Sequence, residues 1–299
     1  MTNLLVLGPI TIDKNIYNKI EQTSIGGAVY YQTFVFENLG INYTILTTLS
    51  YEDKDLLNEF PDKSKVIPIY KNQTLYFENE YISDENRVQK SNFIDNTITI
   101  NDLKDNNIDL DDFDGVLINP LIYNDVDIKL LEYFNKNNIT VFLSIQGLLR
   151  KEDVNGYVEF NLPSNLSEFL KYANLLFLDE FEAKFIYPNL NLFKKIKKIT
   201  KLGPNEIIIT ENNKGSLIYS SFEKKFQDID AFKPKEMVSP TGAGDTYMAA
   251  YIAKRLNKGS IYESAEFATI LTTIKLENEG PFNKSITYVF SRLLDFCGF

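Results

Sequence analysis

The chain has 299 residues, 44% of them hydrophobic and 24% charged, which is an ordinary balance for a globular protein with a substantial core. Its formal net charge is -10, so we expect no general attraction to nucleic acid or to an anionic membrane, although a local positive pocket can still bind an anion. Histidine is absent and cysteine occurs once, which excludes a Ser-His-Asp triad, a histidine-ligated zinc site and an internal disulfide.

Acid–base chemistry must therefore use carboxylates, Lys, Tyr or water, and a bound metal should be a hard ion such as Mg²⁺ held by oxygen atoms. The first residues lack the basic start and long apolar core of a signal peptide, and no apolar run is long enough to span a bilayer. We therefore expect a cytoplasmic protein.

Short apolar runs alternate with amphipathic segments along most of the chain, which is typical of βαβ units, a mainly parallel sheet and helices on both of its faces. The predicted strands are residues 4–7, 43–49, 115–118, 140–144, 175–178, 206–210 and 216–219. The predicted helices lie near residues 28–39, 126–135, 192–202 and 248–256. No linker or repeat divides the chain, so we expect one α/β domain over residues 1–299.

Residues 66–100 interrupt this alternation, because they are predicted to form strand after strand. Residues 14–25 are also predicted to be extended. Together the two segments predict a small β-sheet that projects from the main domain and acts as a lid over the site. The alternative is a solvent-exposed extension of the sheet with no gating role.

The segment from Ser239 to Ile252 carries the clearest chemical signal. Gly242, Ala243 and Gly244 let the backbone turn tightly and approach a ligand, and a helical pattern follows at once. The free N–H groups and the positive end of the helix dipole then favour an anion at this point. A carboxylate there, Asp245, can take a proton from an attacking hydroxyl, so the loop has the parts that phosphoryl transfer needs. The alternative is that Asp245 merely caps the helix.

The chain lacks the P-loop and the dinucleotide-binding glycine motif. The segment from Ser239 to Ile252 instead resembles the C-terminal signature of the ribokinase-like carbohydrate kinases, also called the PfkB family. This resemblance implies a three-layer α/β/α sandwich with a small β lid, ATP and Mg²⁺ as cofactors, and phosphoryl transfer to an alcohol. It also implies that Gly242, Ala243, Gly244 and Asp245 form the catalytic loop.

Motifs on the acceptor side occur in the family's order. Asp13 follows a strand and loop similar to the family's opening segment, which implies that it binds substrate hydroxyls. Gly26-Gly27 resembles the family's diglycine substrate motif, but Tyr31 stands where ribokinases have an asparagine, which argues against ribose. Residues 144–150 resemble a segment of inositol kinases, although Ser144 replaces its usual aspartate. Arg150 in this segment is either a substrate or phosphate contact or a solvated surface arginine.

Motifs on the donor side are similar to the family's as well. Asp179 and Glu182 stand where the family has an Asn-x-x-Glu motif that affects Mg²⁺ and phosphate, and Asp179 adds a negative charge. Thr210 and Gly215 resemble the nucleotide-binding turn, in which Asn212 replaces a frequent glycine and can adopt a left-handed backbone. Where many members carry an aspartate associated with a monovalent cation, this chain has Ser239, so we expect little dependence on potassium.

These observations predict a monomeric or homodimeric kinase that transfers the γ-phosphoryl group of ATP to a hydroxyl of a sugar or polyol, with an inositol-like acceptor favoured by the segment around Arg150. A phosphosugar is not expected, because Asp13, Glu21 and Asp179 make the predicted neighbourhood acidic. One alternative is a nucleoside kinase of the same fold, in which Tyr30 or Tyr31 stacks on the base. Another is a catalytically idle relative that binds a nucleotide or a sugar and acts as a regulator.

Overall fold

The computed structural model describes residues 3–83 and 86–297. The ends of the predicted domain and residues 84 and 85 of the predicted lid lie outside this range. The strands are β1 (Asn3–Leu7), β2 (Thr11–Tyr17), β3 (Ile20–Gly26), β4 (Asn42–Ser50), β5 (Val66–Lys71), β6 (Leu75–Ser83), β7 (Asn86–Ser91), β8 (Gly115–Ile118), β9 (Thr140–Ser144), β10 (Arg150–Glu152), β11 (Val158–Phe160), β12 (Leu175–Asp179), β13 (Glu206–Thr210), β14 (Gly215–Ser220) and β15 (Lys225–Asp230). The helices are α1 (Ala28–Leu39), α2 (Ile100–Asp105), α3 (Ile128–Lys136), α4 (Leu166–Leu170), α5 (Glu180–Ile186), α6 (Leu192–Thr200), α7 (Ala243–Leu256), α8 (Ile261–Leu276) and α9 (Ile286–Cys297).

A large sheet forms the centre of the molecule, with the strand order β15-β14-β13-β12-β9-β8-β1-β4-β5. The strands from β13 to β5 run parallel to one another, and β14 and β15 are antiparallel to their neighbours. The central strands β1, β8, β9 and β12 are short and mostly apolar, as strands covered on both faces must be. The predicted α/β fold with a mainly parallel sheet is confirmed.

Two apolar layers cover the sheet because successive side chains of a strand point to opposite faces. Leu4 and Val6 of β1 belong to a core shared with α1, α7 and α8. Leu5 and Leu7 of the same strand belong to a second core shared with α3, α5 and α6. The helices therefore lie on both faces, which gives the three layers of an α/β/α sandwich.

A separate small sheet has the order β3-β2-β6-β7, in which β2 and β6 are parallel and the other pairs are antiparallel. Its residues come from both segments that predicted the lid. The prediction was wrong for residues 66–71, which form β5 and pair in parallel with β4 at the edge of the large sheet. The alternating apolar pattern of this segment does not distinguish an edge strand of the large sheet from a strand of the small one.

The carboxyl ends of β1, β12 and β13 lie at the same edge of the large sheet, because these strands are parallel. Ligands of open α/β sheets bind beyond this edge. The chain leaves β1 there to enter β2, so the small sheet begins next to the same edge. Within residues 3–83 and 86–297, no helix combines the length and the apolar character needed to cross a membrane.

Candidate active site

The loop before α7 forms the centre of the candidate site. Gly242 has a left-handed backbone with φ of 78° and is the residue from which the helix starts. The amide of Ala243 donates to Pro240 and that of Thr246 to Gly242, whereas the amides of Gly244 and Asp245 have no acceptor within the described chain. Two free N–H groups at the positive end of a helix of 14 residues favour an anion.

Gly242 is required at its position for two independent reasons. Its positive φ is a conformation that side chains with a Cβ adopt rarely. In addition, a Cβ at this position would collide with the ring of Tyr31, which lies directly against the glycine. Tyr31 belongs to α1 and is only 6% exposed, so the loop before α7 is packed against α1 through this ring.

Asp245 lies in the first turn of α7 and is partly buried. Burial raises the pKa of this carboxyl to about 6; the positive charge of Arg150 opposes the rise, and the negative charge of Asp13 adds to it. Asp13 and Arg150, which the sequence placed on the acceptor side, are thus close enough to act on Asp245 electrostatically. Above pH 6 the carboxyl is mostly ionised, and its raised pKa makes it a better proton acceptor than an ordinary aspartate.

Asp13 is positioned by the start of the small sheet. Its carboxylate accepts a hydrogen bond of 2.7 Å from the hydroxyl of Thr11, and it lies over Gly26, where a Cβ would collide with it. Gly27 has φ of 99° and a carbonyl that accepts from the amide of Tyr30, so it starts α1. The two glycines therefore have different tasks: Gly26 leaves room for Asp13, and Gly27 turns the chain into α1.

Asp13 belongs to one face of the small sheet, which we call the inner face; its other members include Asn15, Phe77 and Asn79. Side-chain amides cross this face in a chain of hydrogen bonds. Gln89 donates to Asn79 at 2.8 Å, Asn79 donates to Asn15 at 3.1 Å, and Asn15 donates to the hydroxyl of Ser24 at 3.3 Å. The inner face is therefore a polar surface with fixed donors and acceptors, suited to hydroxyl groups.

Arg150 is 8% exposed, and its guanidinium lies 5.9 Å from the centre of the Phe77 ring on the inner face. It is therefore not a solvated surface arginine. Burial raises the pKa of four carboxyls, and the positive charge of Arg150 opposes that rise in each of them; they are Asp125, Asp179, Glu182 and Asp245. Arg150 thus links the acceptor side of the site to the donor side.

Asp179 and Glu182 cap the start of α5 reciprocally. Asp179 accepts from the amide of Glu182 at 2.7 Å, and Glu182 accepts from the amide of Asp179 at 2.8 Å. Burial raises the pKa of both carboxyls. A nearby cation would stabilise their ionised forms, which fits a divalent metal beside them.

The same two residues do not form a complete metal site by themselves. Among the described residues, no group of three or more acidic or cysteine side chains could hold a metal ion. Mg²⁺ does not require such a group, because it usually keeps several water ligands and is bound through substrate phosphates and one or two carboxylates.

The predicted nucleotide turn lies next to this pair. Thr210 ends β13 and is the register partner of Asp179 on β12, so both occupy the carboxyl edge of the large sheet. Asn212, which replaces a frequent glycine, has the left-handed backbone of that position with φ of 52°. Gly215 has φ of 112°, and the main chain of Ile229 leaves no space for a Cβ there. The turn therefore has the tight backbone that the sequence predicted.

Two side chains lie elsewhere than the sequence suggested. Glu21 faces away from Asp13, since it pairs with Ile16 of β2 and forms an ion pair of 2.8 Å with Lys14 on the other face of the small sheet. It therefore adds no negative charge to the inner face. Tyr30 lines a cavity of about 550 Å³, which is bordered by acidic residues of the 3₁₀ segment Tyr51–Glu59.

A buried amide pair lies under the site. Gln32 of α1 donates to Asn119 at 2.8 Å, and Asn119 donates back to Gln32 at 2.9 Å. The Gln32 amide also contacts the sulfur of Met248 in α7 at 3.7 Å. Asn119 follows β8, so the pair joins α1, the large sheet and α7 at the level of the site.

Comparison with known proteins agrees with this geometry. The model of the pfkB family carbohydrate kinases matches residues 138–287, half of the chain, and includes the loop before α7. The chain belongs to the pfkB family of carbohydrate kinases. A nucleoside kinase of Methanothermobacter thermautotrophicus is 32% identical over 117 residues, which cover 39% of this chain and 36% of that protein. A ribokinase of Lactococcus lactis is 28% identical over 113 residues, or 38% of this chain and 35% of that protein.

The chain thus matches only about a third of the length of these curated relatives. The fold is matched over a greater length. A pyrophosphate-dependent kinase of the ribokinase family, complexed with a pyrophosphate analog and myo-inositol, superimposes with a TM-score of 0.82 at 22% identity, covering 93% of this chain and 97% of that one. This similarity confirms the fold.

The position of Tyr31 in this pfkB-family site, beside Gly242, does not follow from the sequence. The sequence indicates only that Tyr31 replaces an asparagine and offers a ring for stacking. Burial raises the pKa of its hydroxyl, and the charges of Asp13 and Asp245 raise it further, so Tyr31 lies beside both carboxyls. The signal that could have located it is its position in the first turn of the helix that follows Gly26-Gly27.

Proposed function

We propose that this chain transfers the γ-phosphoryl group of ATP to a hydroxyl of a neutral sugar, polyol or nucleoside, with Asp245 as the base. The observation that supports this most is the combination at the start of α7. Two free amides suited to a phosphoryl group lie beside a carboxyl of raised pKa, and that carboxyl is within electrostatic range of Asp13 on the small sheet.

Each acceptor-side group has a defined task in the proposed reaction. Asp13 accepts hydrogen bonds from acceptor hydroxyls and holds one of them towards Asp245. Asp245 takes the proton of that hydroxyl while the hydroxyl oxygen forms a bond to the γ-phosphorus of ATP. The bond between the γ-phosphorus and the β,γ-bridging oxygen breaks, which releases ADP. The turn of Gly242, Ala243 and Gly244 presents the free amides that stabilise the charge of the phosphoryl group. Arg150 contacts the acceptor or the phosphoryl group.

The donor side uses the carboxyl edge of the large sheet. Thr210 and Gly215 border the nucleotide, and Asp179 and Glu182 lie where a divalent cation between protein and phosphates would be stabilised. Mg²⁺ there would neutralise charge on the triphosphate. The small sheet acts as a lid, because its inner face carries Asp13 and contacts Arg150 through Phe77.

The acceptor we favour is a neutral polyol such as an inositol. The inner face presents the Asp13 carboxylate and amides held in place by one another, so hydroxyls positioned to match these groups would be selected. A nucleoside is the second candidate, since two of the curated relatives are named nucleoside kinases. The ring of Tyr31 is packed against Gly242, so stacking of a base on Tyr31 would require it to move.

The deciding experiment measures kcat/KM for myo-inositol, fructose, ribose, fructose 6-phosphate, adenosine and cytidine with ATP and Mg²⁺, and repeats the best acceptor with pyrophosphate as donor. We expect a neutral polyol to be used best, by about tenfold over fructose 6-phosphate, because the latter adds charge to an acidic site. If a nucleoside is used best, the polyol is wrong and the kinase proposal stands. If none of the acceptors increases release of ADP or phosphate, the idle regulator becomes the better explanation.

A further inference from the structure

Lys275 is a buried cation that the proposed reaction does not use. It lies in the last turn of α8, its side chain is 1% exposed, and burial lowers the pKa of its ammonium to about 8, against a small opposing effect of Glu279. A lysine is almost never fully buried unless it has a specific partner. At neutral pH the group is still mostly protonated, so its charge must serve a purpose inside the protein.

The partner is the main chain that leads into the catalytic loop. The ammonium of Lys275 donates a hydrogen bond of 2.9 Å to the carbonyl oxygen of Ser239. The next residue of α8 holds the same stretch from its other side, since the carbonyl of Leu276 accepts from the amides of Val238 and Ser239 at 2.8 and 3.2 Å. The end of α8 therefore holds both the amide and the carbonyl of Ser239 by hydrogen bonds.

These hydrogen bonds at Ser239 are a short distance along the chain from the groups that act on the phosphoryl donor. Ser239 is followed by Pro240 and Thr241, then by Gly242, and Asp245 lies six residues after Ser239. The loop has few other anchors: Pro240 accepts from Ala243, and Gly242 packs on Tyr31. Without the ammonium of Lys275, the carbonyl oxygen of Ser239 would have no hydrogen-bond donor in the described chain, and the loop would lose one of its fixed ends.

We propose that Lys275 is a positioning residue for the catalytic loop, a built-in cation that fixes Ser239 and so sets the amides of Gly244 and Asp245. The proposal rests on the kinase function proposed above. It also predicts that activity needs no diffusible monovalent cation, because a tethered ammonium already binds the carbonyl of Ser239.

The test uses Lys275→Met, which keeps an unbranched side chain of similar length and removes its charge, and Lys275→Ala, which leaves space for a small cation. Lys195→Met is the matched control, since Lys195 is a lysine of low exposure on α6 that takes no part in the site. We expect Lys275→Met to lower kcat by about tenfold or more with little change in the KM of the acceptor, as loss of a charged hydrogen bond that orders the loop would do. Lys195→Met should retain its kcat.

Rescue separates positioning from stability. Ammonium chloride should restore part of the activity of Lys275→Ala, whereas tetramethylammonium chloride at equal ionic strength should not, because it cannot donate to Ser239. A kcat above half of the wild-type value in Lys275→Met, or a loss in Lys275→Ala that ammonium does not reduce, would overturn the proposal.

Binding of pyrophosphate, measured by calorimetry, gives a readout that needs no turnover. We expect its affinity to fall about fivefold or more in Lys275→Met and to stay unchanged in Lys195→Met, since the displaced loop carries the anion-binding amides. An inactive wild-type protein would contradict the kinase function, and this measurement would then decide the role of Lys275: equal affinity in Lys275→Met and wild type overturns it.

Discussion

At the scale of the residue, Asp245 lies at the start of a helix and yet has a raised pKa, and these two properties rarely occur together. A carboxyl at the start of a helix is normally a cap with a low pKa, because helix amides and the dipole favour its charge. Asp245 makes no side-chain cap, and burial raises its pKa to about 6. Burial at this position destabilises the ionised carboxylate, so helix stability does not explain why an aspartate stands here, whereas a functional role would.

Replacing Asp245 with Asn tests this assignment. The amide keeps the shape but cannot accept the proton, so we expect turnover to fall by about 10²–10⁴-fold while ATP and acceptor bind as before. The wild-type kcat should decrease as the pH falls through about 6, since the raised pKa leaves the carboxyl protonated below that value. Steady-state kinetics between pH 5 and 8, on the order of seven buffers, measure both effects.

Asp228→Asn on the exposed part of β15 is the control, and it should leave turnover unchanged. If Asp245→Asn retained more than about a tenth of wild-type turnover, a different group would have to be the base.

At the scale of the element, the start of α7 depends on α1. Gly242 has to be left-handed, and its missing side chain is replaced by the ring of Tyr31. Gly244, two residues later, has an ordinary backbone, and a Cβ there would meet no protein atom within 4 Å. The two glycines of one motif therefore differ in what they do: Gly242 is required by the packing against Tyr31, whereas Gly244 leaves open space beside the start of the helix.

The variants Gly242→Ala and Gly244→Ala separate these causes. We expect Gly242→Ala to lower stability by about 1–3 kcal/mol through backbone strain and the collision with Tyr31. Gly244→Ala should leave the melting temperature of the free protein almost unchanged, yet lower kcat, because the methyl group enters the space of the phosphoryl group. Thermal unfolding and kinetics of both variants check this, and equal melting temperatures would contradict the role of Tyr31.

Local sequence patterns predicted the strands of the large sheet and the start of α7 well, but they did not predict which elements contact one another. Apolar runs located β1, β4, β8, β9, β12, β13 and β14, and the glycine-rich motif located the start of α7. The side of the small sheet on which Glu21 lies, and the sheet to which β5 belongs, depend on which strand pairs with which, and that information is not local. The contact of Lys275 with Ser239 joins residues 36 positions apart, so neither residue marks it in the sequence.

At the scale of the whole molecule, the candidate site joins two sheets. Asp13 belongs to the small sheet, and Asp245 follows the large one, so an acceptor held by both would connect the two sheets. Ligand binding should then stabilise the fold as a whole, by about 2.7 kcal/mol when its concentration is a hundred times its dissociation constant.

Asp13→Asn is expected to abolish the rise in melting temperature that the preferred acceptor produces and to preserve the rise produced by ATP with Mg²⁺. Lys14→Gln is the matched control, because Lys14 is the next residue of β2 and points to the opposite face, where it pairs with Glu21. Thermal shift assays with each ligand measure the difference. Full protection of Asp13→Asn by the acceptor would place acceptor binding elsewhere.

The hydrogen-bonded amide pair of Gln32 and Asn119 has a consequence for how the sequence can evolve. Each side chain gives one hydrogen bond to the other and takes one back, in a place that water does not reach. A single replacement would leave the carbonyl of the remaining amide without its donor and its N–H group with only a long contact to Leu7 or Met248, at a cost of about 1–3 kcal/mol. Replacing both by apolar side chains of similar shape can be nearly neutral. Evolution would therefore cross between these two solutions in one double step or through a weakened intermediate, and lineages of this family should show positions 32 and 119 changing together.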